Sequence, residues 1–386
     1  MSKKIRVAVL FGGRSGEHEI SLRSAASVIR NLDRSRFEII PIAIDKQGGW
    51  HLVLASVAEK QALGASLSIP AASSDSLEHG PVVLRPEPAD GKATFIDLRT
   101  GKVVATAEVV FPVLHGPLCE DGTLQGILEL AEVAFVGCGV LASSAGMDKE
   151  VSKRLARDVG IPIVPFVTIR SDRWKRSSEP ERTRERERIA RELGYPVFVK
   201  PANMGSSVGV HKVKDAAALD AALNDAFKYD TKILVEKGIA AREIELAVLE
   251  SRTAGELPRV SIAGEVTPTH EFYSYEAKYI DENGAALRIP AGLSGDQMAQ
   301  AQKIARDVFE ALECEGMARV DLFLDKNSGQ FYFNEVNTIP GFTSISMYPK
   351  MWEASGLGYA PLLSELVDLA LERQCRKKAL SREYIQ

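Results

Sequence analysis

The apolar pattern of the chain switches between two periods. IRVAVLF, residues 5–11, is a short continuous apolar run that reads as a buried strand. A glycine turn and an amphipathic helix follow in GGRSGEHEISLRSAASVIRNL, and FEIIPIAID at 37–45 is the next strand. That order predicts a parallel sheet with helices on its faces. Residues 55–95 carry little pattern and much Ala, Ser and Pro, and read as an excursion of the same unit. EVVFPVLHG at 108–116 is another strand that ends in a loop. Ser143 or Ser144 is placed to cap a helix running to Gly160, with Pro162 barring its continuation. A second unit holds a charged helix at 177–194, two alternating runs within YPVFVKPANMGSSVGVHKV, and a strand at 232–239 that ends in a turn. A third opens on the strand REIELAVLE, then has a polar loop around TPTHEFYSYEAKY, a helix at 296–312 and two strands at 318–337. The predicted division is 1–146, 147–238 and 239–386, an α/β fold of three units.

Composition narrows the classes. The 386 residues are 45% apolar and 26% charged, enough to bury a sizeable core. A net charge of −4 supplies no bulk basic field for nucleic acid, and the alternating signs of 177–194 fit a solvated helix face. Cys119, Cys138, Cys314 and Cys375 are scattered, with no CxxC pair to hold zinc. No apolar run reaches the roughly 18 residues of a membrane span. The first residues do not read as a signal peptide, so a cytoplasmic protein with no membrane partner is expected.

The candidate chemistry lies at strand ends. RVDLFLDKNSGQFYFNEVN reads as a hairpin turning at 326–329. Alternation puts Arg319, Asp321 and Phe323 on one face of its first strand, and Phe331, Phe333, Glu335 and Asn337 on one face of the second. One register pairs Asp321 with Glu335 and Arg319 with Asn337. Facing carboxylates repel. Either Arg319 alone neutralises them as a structural ion pair, or a cation sits between them. Oxygen-only donors suit Mg²⁺ or Mn²⁺ bridging to phosphates. Lys200, at a strand end before MGSSVG, and Lys149 are placed to meet phosphates, beside backbone donors that the glycines leave open. Lys153, one turn beyond Lys149, reads as solvated. Neither GxGxxG nor GxxxxGK[ST] is present, so a nucleotide site here is of another kind.

Seven ordered motifs give the chain a resemblance. FGGRSGEHEIS, LHGPLCEDGTLQG, ASSAGMDK, VFVKPANMGSSVGV, VEKGIAAREIE, YSYEAKY, and RVDLFLD with FNEVNTIPGFTSISMYP are together similar to the D-alanine–D-alanine ligases. The last two-thirds of the chain resembles the ATP-grasp enzymes. The resemblance implies a three-domain ATP-grasp architecture that joins two D-alanine molecules through an acyl phosphate, for peptidoglycan precursors. It implies that Lys149, Lys200 and the loop of Gly205, Ser206 and Ser207 hold the ATP phosphates. Glu236, Lys237, Gly238 and Ile239 would meet adenine, and Glu243 the ribose. Asp321, Glu335 and Asn337 would hold two Mg²⁺ or Mn²⁺ ions. Arg319 and the Gly341 N–H would stabilise the oxyanion. Glu17 would receive the first ammonium near His115, and Glu17, Ser206 and Tyr279 would form a closing bridge. Lys278, Ser346 and Met347 would take the second carboxylate. A homodimer is implied. D-lactate and D-serine ligases, or a non-catalytic ATP-binding module, are the alternatives; EAKY resembles the dipeptide-forming subgroup. The chain departs from the family's usual glycine at Cys119.

Overall fold

The protein is described by a computed structural model covering residues 3–64, 66–69, 77, 79–253, 255–268 and 285–381. Its first sheet has eight strands: β1 (Ile5–Gly12), β2 (Phe37–Ile44), β3 (Trp50–Leu52), β4 (Pro81–Leu84), β5 (Ala93–Asp97), β6 (Val103–Ala107), β7 (Val109–Val113) and β8 (Ala134–Phe135). They lie in the order β6-β5-β4-β3-β2-β1-β7-β8. β1 pairs in parallel with β2 and β7, and β7 with β8. The helices α1 (His18–Asn31) and α3 (Thr123–Leu130) make the crossovers that parallel pairing needs. From β2 to β6 the sheet is antiparallel, which corrects the parallel expectation. The segment read as patternless adds α2 (Ala55–Ala62), β4 and part of β5. These strands are short, and β4, apolar throughout as PVVL, still exposes alternate residues, so its sequence does not show which face is buried.

The helix predicted from Ser143 or Ser144 is two helices. α4 (Val140–Met147) already contains both serines and ends at Asp148, whose backbone is extended. The Asp148 carboxylate accepts from the Glu150 and Val151 N–H groups at 3.1 and 3.0 Å and caps α5 (Lys149–Asp158). The break sets Lys149 at the head of α5.

The second sheet is antiparallel, β11-β10-β12-β9, from β9 (Phe166–Arg170), β10 (Val197–Pro201), β11 (His211–Val213) and β12 (Lys232–Lys237). With α6 (Ser171–Arg176), α7 (Glu179–Glu192) and α8 (Leu219–Ala226) it encloses its own core of Trp174, Ile189, Val199, Leu223 and Val235. α7 buries only Ile189, while its Arg186 bridges Glu179 and Asp220, the behaviour of a solvated helix.

The third sheet joins β13 (Ala241–Leu249), β14 (Arg259–Val260), β15 (Gly264–Pro268), β16 (Ala285–Arg288), β17 (Met317–Asp325) and β18 (Phe331–Asn337). α9 (Gly295–Ala311) covers one face through Ala301, Val308 and Phe309. On the other face α10 (Met347–Ala354) and α11 (Tyr359–Lys378) bring Tyr348, Leu362 and Leu366 into one apolar cluster with Val7, Phe11 and Phe111 of the first sheet. Arg373 of α11, 4% exposed, donates to the Phe135 and Gly137 carbonyls at 2.6 and 2.5 Å. The first and third sheets therefore share a core, and the second packs beside them.

Candidate active site

A cleft lies between the second and third sheets. Lys149, Lys200, the loop of Met204 to Ser207, Glu236, Lys237, Ile239, Glu243, Glu245, Arg319, Asp321 and Glu335 line it. Phe198 and Phe323 form apolar walls, with the Lys200 ammonium 5.7 Å from each ring centre. Ser206 and Ser207 adopt left-handed backbone, φ 51° and 58°, which bends the loop over this cleft. Lys149 donates to the Met204 carbonyl at 2.7 Å and so ties α5 to that loop. Gly238 follows β12 and donates to the Pro196 carbonyl at 2.8 Å; a side chain there would sit 2.6 Å from that same oxygen. Only glycine fits this turn.

Two lysines share Glu236. Lys200 donates to its Oε1 at 2.6 Å, and Lys153 lies 2.9 Å from its Oε2. Burial raises the Glu236 pKa, but the two ammonium groups outweigh it and bring it down to about 2. Lys153 is 1% exposed, which corrects the solvated reading. Its position one turn after Lys149, on the same helix face, was the available signal.

The hairpin register is the expected one, Arg319 opposite Asn337 and Asp321 opposite Glu335. The faces differ from expectation. Leu322 pairs with Phe333, so Asn334 is an extra residue between Phe333 and Glu335. Phe331 and Phe333 consequently point into the core with Leu322 and Leu324, while Glu335 lines the cleft. Glu245 of β13 stands opposite Asp321 on its other side, completing a row of three carboxylates across three strands. The alternation of Glu243 and Glu245 was the signal for it.

Three side chains answer that row. Arg319 donates from Nε and Nη2 to the two oxygens of Asp321, each at 2.7 Å, and reaches Glu245 at 3.1 Å. The Asn337 amide donates to Asp321 at 3.0 Å. Lys149 lies 3.2 Å from Glu335. Burial works against the Arg319 charge, but Asp321 and Glu245 more than offset it and hold the guanidinium cationic. Among the described residues no three His, Cys, Asp or Glu gather closely enough to hold a metal unaided. Asp321 and Glu335 still offer carboxylate oxygens to the cleft, matched now by protein cations, with Asn337 bonded to Asp321 beside them. This donor set fits a hard divalent ion that takes its remaining ligands from a phosphate.

The first sheet supplies the far corner. Ser206 donates to Glu17, joining the loop to the start of α1. His115, at the end of β7, is 6% exposed and bonded at both nitrogens. Nδ1 is 3.2 Å from the Ile339 carbonyl and must donate to it, so Nε2 accepts from the Ser24 hydroxyl at 3.1 Å. Burial lowers the His115 pKa and keeps the ring neutral. Ser24 in turn accepts from the Phe342 N–H at 3.3 Å. His115 thus anchors the loop that carries Gly341. Ser346, before α10, accepts from the Thr343 N–H at 2.9 Å, and Met347 begins that helix. Glu120, missed from sequence, accepts from the Gly116 N–H at 3.0 Å; burial and the neighbouring Glu17 push its pKa up to about 8. Cys119 is accommodated because the left-handed residues of its loop are Gly116, Leu118 and Gly122, φ 77°, 70° and 90°, and not Cys119 itself; burial pushes its thiol up to about 12. Lys278 and Tyr279 lie outside the described residues.

Residues 6–138 match the family described as D-ala D-ala ligase N-terminus, and residues 155–368 match D-ala D-ala ligase C-terminus. The chain is 54% identical over 389 aligned residues, 100% of both chains, to the D-alanine–D-alanine ligase A of Bradyrhizobium diazoefficiens. Among solved structures it is similar to the D-alanine–D-alanine ligase of Coxiella burnetii, 35% identical with TM-score 0.79, covering 98% of this chain and 97% of that one. It is also similar to the VanG D-Ala:D-Ser ligase of Enterococcus faecalis, 34% identical with TM-score 0.80, covering 95% of this chain and 100% of that one. On full-length identity and on family models that match residues 6–138 and 155–368, this chain belongs to the D-alanine–D-alanine ligase family.

Proposed function

We propose that the chain is an ATP-dependent ligase that joins two D-alanine molecules into D-alanyl-D-alanine, a building block of peptidoglycan. The observation that carries this reading is the continuous cleft from Lys200 to Arg319, joined at Ser206 to the Glu17 corner. One end suits a nucleotide and the other an amino acid. Lys149, Lys200 and the Gly205–Ser207 loop are assigned to the ATP phosphates; Lys237, Gly238 and Ile239 to adenine, with Glu236 beneath them; Glu243 to the ribose. Glu17 receives the ammonium of the first D-alanine. Its carboxylate attacks the γ-phosphate, giving an acyl phosphate and ADP. The amine of the second D-alanine, its carboxylate held at Ser346 and Met347 with Lys278, attacks the acyl carbonyl, and phosphate leaves. Arg319 and the Gly341 N–H face the developing oxyanion. Asp321, Glu335 and Asn337 would hold two Mg²⁺ or Mn²⁺ ions, which when bound would neutralise charge on the transferring phosphoryl group. Lys149 and Arg319 already stand on those carboxylates and hold them aligned.

Units 1–146, 147–238 and 239–386 are assigned as the three domains, each contributing one sheet. A cytoplasmic homodimer is part of the same reading; no helix among the described residues is long and apolar enough to cross a membrane. The test is to mix protein, ATP, Mg²⁺ and D-alanine, and to follow phosphate release and product mass. D-alanyl-D-alanine is expected. A product only with D-serine or D-lactate, or no product with ATP still bound, would overturn it.

A further inference from the structure

Lys153 is a buried cation beside the cleft to which the proposed function gives no role. It does not line the cleft. Its ammonium lies on the far side of Glu236, 2.9 Å from Oε2, and donates to the Phe333 carbonyl at 3.2 Å. Lys200 takes the near oxygen, Oε1, from inside the cleft at 2.6 Å. Glu236 is 2% exposed.

We propose that Lys153 is a positioning residue that frees Lys200 for the nucleotide, by neutralising Glu236 from behind so that the Lys200 ammonium can leave that carboxylate for the phosphates. Charge balance is the reason. A buried carboxylate with a single counterion holds it, because losing that partner leaves an uncompensated charge in a low-dielectric site. With two counterions on separate oxygens, one can move away while the other remains. Glu236 stays ionised, since the two lysines bring it down to about 2. Lys200 therefore meets a fixed anion on one side and, when ATP enters, a movable one on the other. Burial lowers the Lys153 pKa, and Glu236 opposes that fall. The competing account is structural: Lys153 merely ties α5 to β18 through Phe333.

The proposal rests on the assignment of Lys200 to the ATP phosphates, and the experiment separates the two. ATP affinity is measured by calorimetry with Mg²⁺ and without D-alanine, for wild type, K200M, K153M, K153R, E236Q and K153M/E236Q. K153M keeps the apolar stem and removes the charge. It is expected to weaken ATP binding about 10- to 100-fold, the scale of one charged partner withheld from the phosphates. K153R restores the charge and stays within about threefold of wild type on the same scale. In the E236Q background there is no anion to neutralise, so K153M changes affinity less than about threefold. Equal losses in both backgrounds, or K153R as weak as K153M, overturn the proposal in favour of the structural account. Wild-type affinity in K153M overturns it outright. Should K153M not fold, a double variant binding more than about tenfold worse than E236Q does the same. If K200M binds ATP like wild type, the phosphate assignment falls, and the role of Lys153 with it.

Discussion

The contact between Ser206 and Glu17 joins the loop assigned to the ATP phosphates to the corner assigned to the first amino acid, and its removal tests whether the two work as one site. Ser206→Ala deletes the hydroxyl and leaves the loop backbone unaltered, since alanine and serine carry the same Cβ in the left-handed region that residue 206 occupies. A hydrogen bond to a charged acceptor contributes about 1.5–3 kcal/mol. Ser206 is half-buried, so the low end applies, and about 1.5 kcal/mol corresponds to roughly tenfold in the equilibrium between latched and open loop. An open loop admits water to the acyl phosphate, which then hydrolyses instead of meeting the second amine. The assay measures phosphate released against dipeptide formed at saturating ATP, across a D-alanine titration. Wild type should release one phosphate per dipeptide; the variant should release a several-fold larger uncoupled fraction, greatest at low D-alanine. A variant that turns over more slowly with unchanged coupling would refute the latch and leave Ser206 as a phosphate contact only.

Asp321→Asn or Glu335→Gln should abolish turnover and weaken Mn²⁺ binding in the ATP complex while the far-ultraviolet circular dichroism is retained; near-normal Mg²⁺-dependent turnover in both would exclude the metal assignment. Arg319→Lys, which cannot reproduce the two-pronged contact with Asp321, should lower kcat by about 10²–10³ with little change in ATP affinity, and an effect confined to ATP affinity would make Arg319 a nucleotide residue. Gly238→Ala forces a methyl against the Pro196 carbonyl, so both Tm and ATP affinity should fall, and an unchanged Tm would mean that the turn relaxes freely. Glu120 is protonated in the fold up to about pH 8 but ionises near pH 4.5 when unfolded, so the folded protein binds the extra proton between those values. Stability from this group therefore falls as pH rises across that window, and Glu120→Gln should flatten the decline of Tm between pH 5 and about pH 8; an identical slope in the variant would show that Glu120 does not hold that proton.

Much of the site is legible in the sequence because strand alternation is a strict rule. Alternation puts carboxylates on both strands of the hairpin, but counting back from the turn at 326–329 alone would set Asp321 opposite Asn334; one extra residue brings Glu335 into register. The same rule fails two residues earlier, at Phe333, because one inserted residue, Asn334, reverses the face of everything before it and leaves no mark in composition. The antiparallel half of the first sheet is illegible for a related reason: strands of three to five residues contain too few alternations to stand out. Lys153 misleads because helix periodicity identifies a face, not what packs against it. A lysine reads as solvated until a buried glutamate from another sheet is brought to it. The capping of α5 by Asp148 escapes notice because two serines upstream offer the same chemistry, and only the chain path decides which residue starts the helix.

The shared core of the first and third sheets has a consequence for how the chain can be divided. Val7, Phe11 and Phe111 come from its beginning, Tyr348, Leu362 and Leu366 from its end, and Arg373 pins the last helix to the carbonyls of Phe135 and Gly137. A fragment ending near residue 146 would expose half of that cluster and lose the groups that satisfy those carbonyls, so it should be recovered as aggregate. The second sheet, with its own enclosed core, is the piece that a protease or an engineer could release whole. Sequence order and packing order thus differ: the two ends of the polypeptide share one core, and the sheet drawn from residues 166–237 keeps a core of its own.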